Sequence, residues 1–87
     1  LLWYQRGSFE NAENAYRAIL ASGRLRPTTE PYVLANLYLI ESLIRQDKLD
    51  EAAETLRSLG QPEQKELRER YRVVQALLRE ATHRNVK

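Results

Sequence analysis

Residues 7–16 and 47–56 carry one pattern twice, and that repetition constrains this chain more than any other feature. Gly7-Ser8-Phe9-Glu10-Asn11-Ala12-Glu13-Asn14-Ala15-Tyr16 aligns with Asp47-Lys48-Leu49-Asp50-Glu51-Ala52-Ala53-Glu54-Thr55-Leu56 at an offset of 40 residues. A turn residue comes first, then a large apolar residue two positions on, an alanine three later and a second large apolar residue four later. Ile19 and Leu59 extend the match at the same offset. Gly7, Phe9, Ala12, Tyr16, Leu49, Ala52 and Leu56 are the repeat positions. Two antiparallel helices joined by a tight turn need a small residue at their closest approach, the expected role of Ala12 and Ala52. A single such pair cannot bury its own apolar face, so neighbouring pairs stack.

The breaks fall at Gly7-Ser8, Gly23 to Pro31, Asp47-Lys48 and Gly60-Gln61-Pro62. Between them lie runs rich in Ala, Leu, Glu, Arg and Gln, good helix formers. No useful stretch alternates with period two, which argues against strands. The expected helices are a remnant over 1–6, then Ser8 to Ala21 with Ser8 as N-cap, Glu30 to Gln46 capped by Thr29, Leu49 to Leu59, and Pro62 to about His83. Phe9, Ala12, Ala15, Tyr16, Ile19 and Leu20 form the stripe of the second. The Glu30–Gln46 helix is apolar over one broad side, interrupted by Asn36, Glu41, Ser42 and Arg45, as suits a central helix packed on more than one side. In the next helix Leu49, Ala52, Ala53, Leu56 and Leu59 are expected inward. In the last, Leu67, Tyr71, Val74, Leu78 and Ala81 recur at 4-3-4-3 spacing, widened by Val73 and Leu77.

The segments "RGSFENAENAYRAIL" and "RQDKLDEAAETLRSL" resemble the end of a first helix and the whole second helix of the tetratricopeptide repeat family. Upstream of the second segment Leu39 and Leu43 match that family's apolar first-helix positions, while Ile40 and Asn36 stand where it has a small and a bulky residue, and the spacing of 40 exceeds its usual 34, an insertion assigned to the loop from Gly23 to Pro31. The resemblance covers about residues 1–59. It implies an all-α chain of antiparallel helix pairs stacked as an α-solenoid fragment: repeats over 1–59 with the first truncated, a long C-terminal or capping helix over 60–83, and a tail over 84–87. The start at Leu1-Leu2-Trp3-Tyr4, without methionine, reads as a helix cut in half.

The absence of cysteine excludes a disulfide framework and a thiolate zinc site. No apolar run reaches the roughly 18 residues of a membrane span, so no membrane partner is expected and the cytoplasm is the expected location, with the nucleus open. Net charge is only +2, with acids and bases interleaved, unlike a dedicated nucleic-acid surface. His83, the lone histidine, has no second ligand at helical spacing, and Ser8 has no histidine partner. Asp47, Asp50, Glu51 and Glu54 suit the positive end of a helix better than a cation site. No cofactor, metal or catalytic role is expected.

The resemblance implies a protein-binding scaffold or chaperone subunit. Its expected partner face comprises Trp3, Tyr4, Leu34, Leu37, Glu41, Ile44, Arg45, Tyr71, Val73 and Leu77. A groove of this apolar character fits an amphipathic helix, an extended apolar segment or a second copy better than an acidic peptide tail, with Glu41 and Arg45 setting register. The alternative expectation is helical-repeat RNA binding through Arg24, Arg26, Arg68, Arg72 and Arg79.

Overall fold

The structure, a computed structural model, describes residues 6–27 and 29–85. Among these residues there are four helices and no strand: α1 (Arg6–Ala21), α2 (Glu30–Arg45), α3 (Leu49–Leu59) and α4 (Lys65–Asn85). None is long and apolar enough to cross a membrane.

α2 is the centre, as its apolar girth implied. It packs against each of the other three helices, and α3 also packs on α4. Nine buried residues form one core, and five of them (Val33, Leu37, Leu39, Ile40 and Leu43) belong to α2. Ala52 and Leu56 of α3 and Leu67 and Val74 of α4 complete it, with Tyr16, Leu20, Leu34, Ile44, Leu59, Tyr71 and Leu78 packed around them. Ala52 is fully buried, which fits its expected place where two helices meet closely. The interruptions on α2 are absorbed locally. Asn36 Nδ2 donates to the Tyr32 carbonyl at 3.0 Å and Ser42 Oγ to the Tyr38 carbonyl at 3.0 Å, so both polar side chains are buried without loss of hydrogen bonding.

The α2–α3 turn is closed by backbone bonds. Asp47 N–H donates to the Ile44 carbonyl at 3.0 Å and Lys48 N–H to the Leu43 carbonyl at 2.9 Å. These are the paired bonds of a Schellman end, with Asp47 in the left-handed position at φ 67° where glycine is commoner. At the α3–α4 turn Gly60 has φ 73° and ψ 166°, a combination open to glycine almost alone.

Three expectations about helix ends are corrected. α1 runs from Arg6 through Gly7 and Ser8, where a break and an N-cap were expected; a helical glycine costs only about 1 kcal/mol relative to alanine, a small penalty beside the bonds a continuous helix keeps. Thr29 does occupy the N-cap position of α2, but its hydroxyl turns back to the Arg26 carbonyl at 2.7 Å and caps nothing. α4 starts at Lys65, three residues after Pro62, because residues 60–64 are used to turn the chain back from α3. Of the remnant expected over 1–6, Arg6 belongs to α1 and residues 1–5 lie outside the described residues.

Candidate partner interface

At 100° per residue, the side of α2 least covered by its neighbours carries Leu34, Tyr38, Glu41 and Arg45. Burial agrees: Leu34, Tyr38 and Glu41 are half-buried and Arg45 is exposed. Glu41 and Arg45 pair with each other at 3.7 Å, one helical turn apart. Tyr38 links three helices. Its ring stacks on Tyr16 of α1 with centroids 5.7 Å apart. The Arg70 guanidinium of α4 lies 5.4 Å from the centre of the same ring and donates to its hydroxyl at 2.8 Å. Arg70 thus joins α4 to α2 by a contact across helices. On the same flank of α4 as Arg70 stand Val73, 57% exposed, and Leu77, half-buried.

The expected face therefore divides. Leu34 is half-buried and packed on the core, and Glu41, Arg45, Val73 and Leu77 lie at or near the surface. Leu37 does not: it is 2% exposed in the core, because α4 covers the side of α2 on which it sits. Ile44 and Tyr71 are half-buried and packed on that core. Trp3 and Tyr4 lie outside the described residues. Tyr38 and Arg70 also belong to this surface and were not among the expected partner residues; a tyrosine among leucines at helical spacing reads simply as apolar.

A second polar feature escaped the sequence reading altogether. Glu13 sits in the middle of the inward stripe of α1, flanked by Phe9, Tyr16 and Leu20, and its side chain is only 7% exposed. Ala15 and Ile19, expected in that stripe, are exposed instead. The Glu13 carboxylate accepts from Arg17 Nε at 2.7 Å, Gln46 Nε2 at 2.9 Å and Lys48 Nζ at 3.0 Å. Gln46 Nε2 also reaches the Phe9 carbonyl at 3.3 Å and the Ser42 carbonyl at 3.1 Å. Arg17 extends the network to Glu51 of α3 at 3.1 Å. Chiefly through the Arg17 bond, and aided by Lys48 and Gln46, the Glu13 pKa falls from 4.5 to about 2 against the opposing effect of burial. No buried side-chain polar atom lacks a partner among the described residues. Glu13 is detectable in sequence as a charge at the centre of the 9-13-16-20 stripe.

No protein-family model, curated protein or solved structure matches the chain.

Proposed function

We propose that the chain is a non-catalytic protein-binding scaffold of the tetratricopeptide type, and that the outer strip of α2 with the adjoining flank of α4 holds an amphipathic partner helix or a second copy of the chain. The observation that carries this reading is Val73. It is a large apolar residue more than half exposed, with half-buried Leu77 one turn on, on the flank of α4 whose Arg70 reaches Tyr38 of the α2 strip. An apolar ledge bordered by a charge pair is the form a helix-binding surface takes, and an apolar patch left open would favour aggregation.

The packing order lends support. Each helix packs on the next, and α2 also packs on α4, the helix after its neighbour. Stacked helix pairs produce that order. The repeat positions Ala52, Leu56, Leu39 and Leu43 are buried in the core as such stacking needs.

Sedimentation equilibrium over a wide concentration range, with crosslinking mass spectrometry of the chain and the proteins that co-purify with it, tests the reading. Self-association or crosslinks mapping to Leu34, Val73 and Leu77, abolished by Val73→Glu with helicity intact, are expected. Binding unchanged in Val73→Glu, or a chain that stays monomeric without crosslinks to this face, overturns it.

A further inference from the structure

The opposite flank of α4 has a different character. Lys65, Arg68, Arg72, Arg79 and His83 fall within about 60° of one another around the helix axis and extend over about 27 Å at ~1.5 Å per residue. Glu66, Glu69 and Glu80, which interleave with them in sequence, lie beyond the edge of that stripe. Arg72, Arg79, Lys65 and His83 are exposed. None of the five enters an ion pair among the described residues. The Arg68 side chain donates to the Glu63 carbonyl, which leaves its charge uncompensated. The acids Glu51 and Glu54 of α3 line a groove with Arg17 of α1, on the other side of α3. Asp50 and Arg57, both exposed on α3, balance each other in net charge.

Beside the stripe lies a shallow, open cavity of about 500 Å³, lined by Leu56, Gln75, Leu78, Arg79, Thr82 and His83. Its floor is aliphatic, from Leu56 and Leu78. Its rim holds a guanidinium, an imidazole and the Gln75 amide, none of which makes a side-chain hydrogen bond among the described residues, while the Thr82 hydroxyl donates to the Leu78 carbonyl. A line of uncompensated cations attracts a polyanion. An apolar cavity with two planar groups at its edge takes something a simple polyanion lacks, a flat ring that stacks and accepts hydrogen bonds.

We infer that this flank of α4 binds single-stranded nucleic acid, with backbone phosphates on Lys65, Arg68, Arg72 and Arg79 and a base in the cavity over Leu56 and Leu78 against His83 and Arg79. The site is separate from the partner face, so either stands without the other. A duplex is disfavoured because its bases are stacked away from the cavity. A lipid surface is disfavoured because, among the described residues, no large apolar side chain projects from the stripe to insert.

Fluorescence anisotropy with a labelled oligouridylate tests this. With four cations engaged, log K falls against log salt with a slope of about −3, at roughly −0.7 per phosphate for single strands. Arg72→Glu/Arg79→Glu is expected to weaken binding at least tenfold at low salt and to flatten the slope, with the circular dichroism unchanged. Arg24→Glu/Arg26→Glu, the same charge change in the α1–α2 loop, is expected to do much less. An oligomer with abasic sites is expected to bind several-fold more weakly than its parent, a loss that His83→Ala should erase. The same series with oligothymidylate reports whether the 2′-hydroxyl contributes. Equal losses from the two double variants, equal binding of abasic and intact strands, or binding confined to heparin or phosphatidylserine vesicles overturns the inference, as does no binding at low salt.

Discussion

Replacing Glu13 by glutamine removes one charge and almost no volume from the junction of α1 with the α2–α3 turn. The Glu13 pKa of about 2, against 4.5 for an ordinary glutamate, corresponds to about 3 kcal/mol at ~1.4 kcal/mol per unit. That figure is an upper bound, because Arg17 and Lys48 keep 43% and 38% of their side chains in water, and solvent screening reduces the contribution to about 1–2 kcal/mol. The sign follows from a depressed carboxylate pKa: the stabilisation is fully present above about 4.5 and is lost as pH falls toward 2. Urea denaturation followed by far-UV circular dichroism measures it, for wild type and Glu13→Gln, at neutral pH and in steps down to the acid limit of the fold. The difference between the two proteins isolates Glu13 from the other carboxylates, which titrate in both. Wild type should be more stable by about 1–2 kcal/mol at neutral pH, and the difference should shrink steadily between pH 4.5 and 2. A difference that stays constant over this window, or is absent at neutral pH, refutes the assignment of the network as an electrostatic clamp. The amide in Glu13→Gln still accepts from Arg17, so loss of helicity is not expected.

Other positions make sharp claims. Leu37→Glu should abolish cooperative unfolding, because it places an unpaired charge in the core beside Ile40 and Leu43; a folded, helical Leu37→Glu protein would place that residue on the partner face after all. Gly60→Ala should lower stability by about 1–3 kcal/mol through backbone strain alone, since nothing lies within 4 Å of the added methyl; an unchanged melting temperature would show that the turn relaxes freely. Tyr38→Ala should cost more than Tyr38→Phe, which loses only the exposed bond to Arg70, worth about 0.5–1.5 kcal/mol. A double-mutant cycle with Arg70→Ala separates the ring contact from the hydroxyl, and a coupling of zero would remove Tyr38 as the link between α2 and α4.

The helical architecture was open to sequence reasoning because the apolar residues of α2, α3 and α4 recur at helical spacing and nothing competes with that period. Leu67, Val74 and Ala81 are buried where the 4-3-4-3 spacing puts them. The partner face was only partly readable. A broad apolar helix shows that several sides are covered, yet not which neighbour covers which side, so Leu37 and Val73 look alike until α4 is placed. The helix starts failed for a different reason. Gly7, Ser8 and Thr29 have the right chemistry for a turn or cap, but that chemistry is permissive: Ser8 lies within the helix and the Thr29 hydroxyl bonds backwards into the loop.

The Glu13 network shows why the two copies of the repeat are not interchangeable. At the 40-residue offset Glu13 corresponds to Ala53 and Gln46 to Arg6, so the second copy has no counterpart for the buried carboxylate. Apolar packing alone would let α1 slide or rotate on α2, since Phe9, Tyr16 and Leu20 offer several similar fits. A carboxylate held by Arg17, Gln46 and Lys48 accepts one arrangement, because any other leaves a buried charge without its donors, at a cost of several kcal/mol. Two of its three donors, Gln46 and Lys48, flank Asp47, the residue held left-handed at φ 67°. The turn geometry therefore aims both side chains at Glu13, and the register of α1 is tied to the shape of a turn 34 residues further along the chain from Glu13 to Asp47. Asp47→Pro, which cannot adopt a positive φ, should accordingly weaken the α1–α2 contact as well as the turn. Hydrogen exchange resolved along the chain would show it as faster exchange in α1 than Glu13→Gln alone produces, whereas slow exchange in α1 would mean that the apolar stripe suffices to hold it.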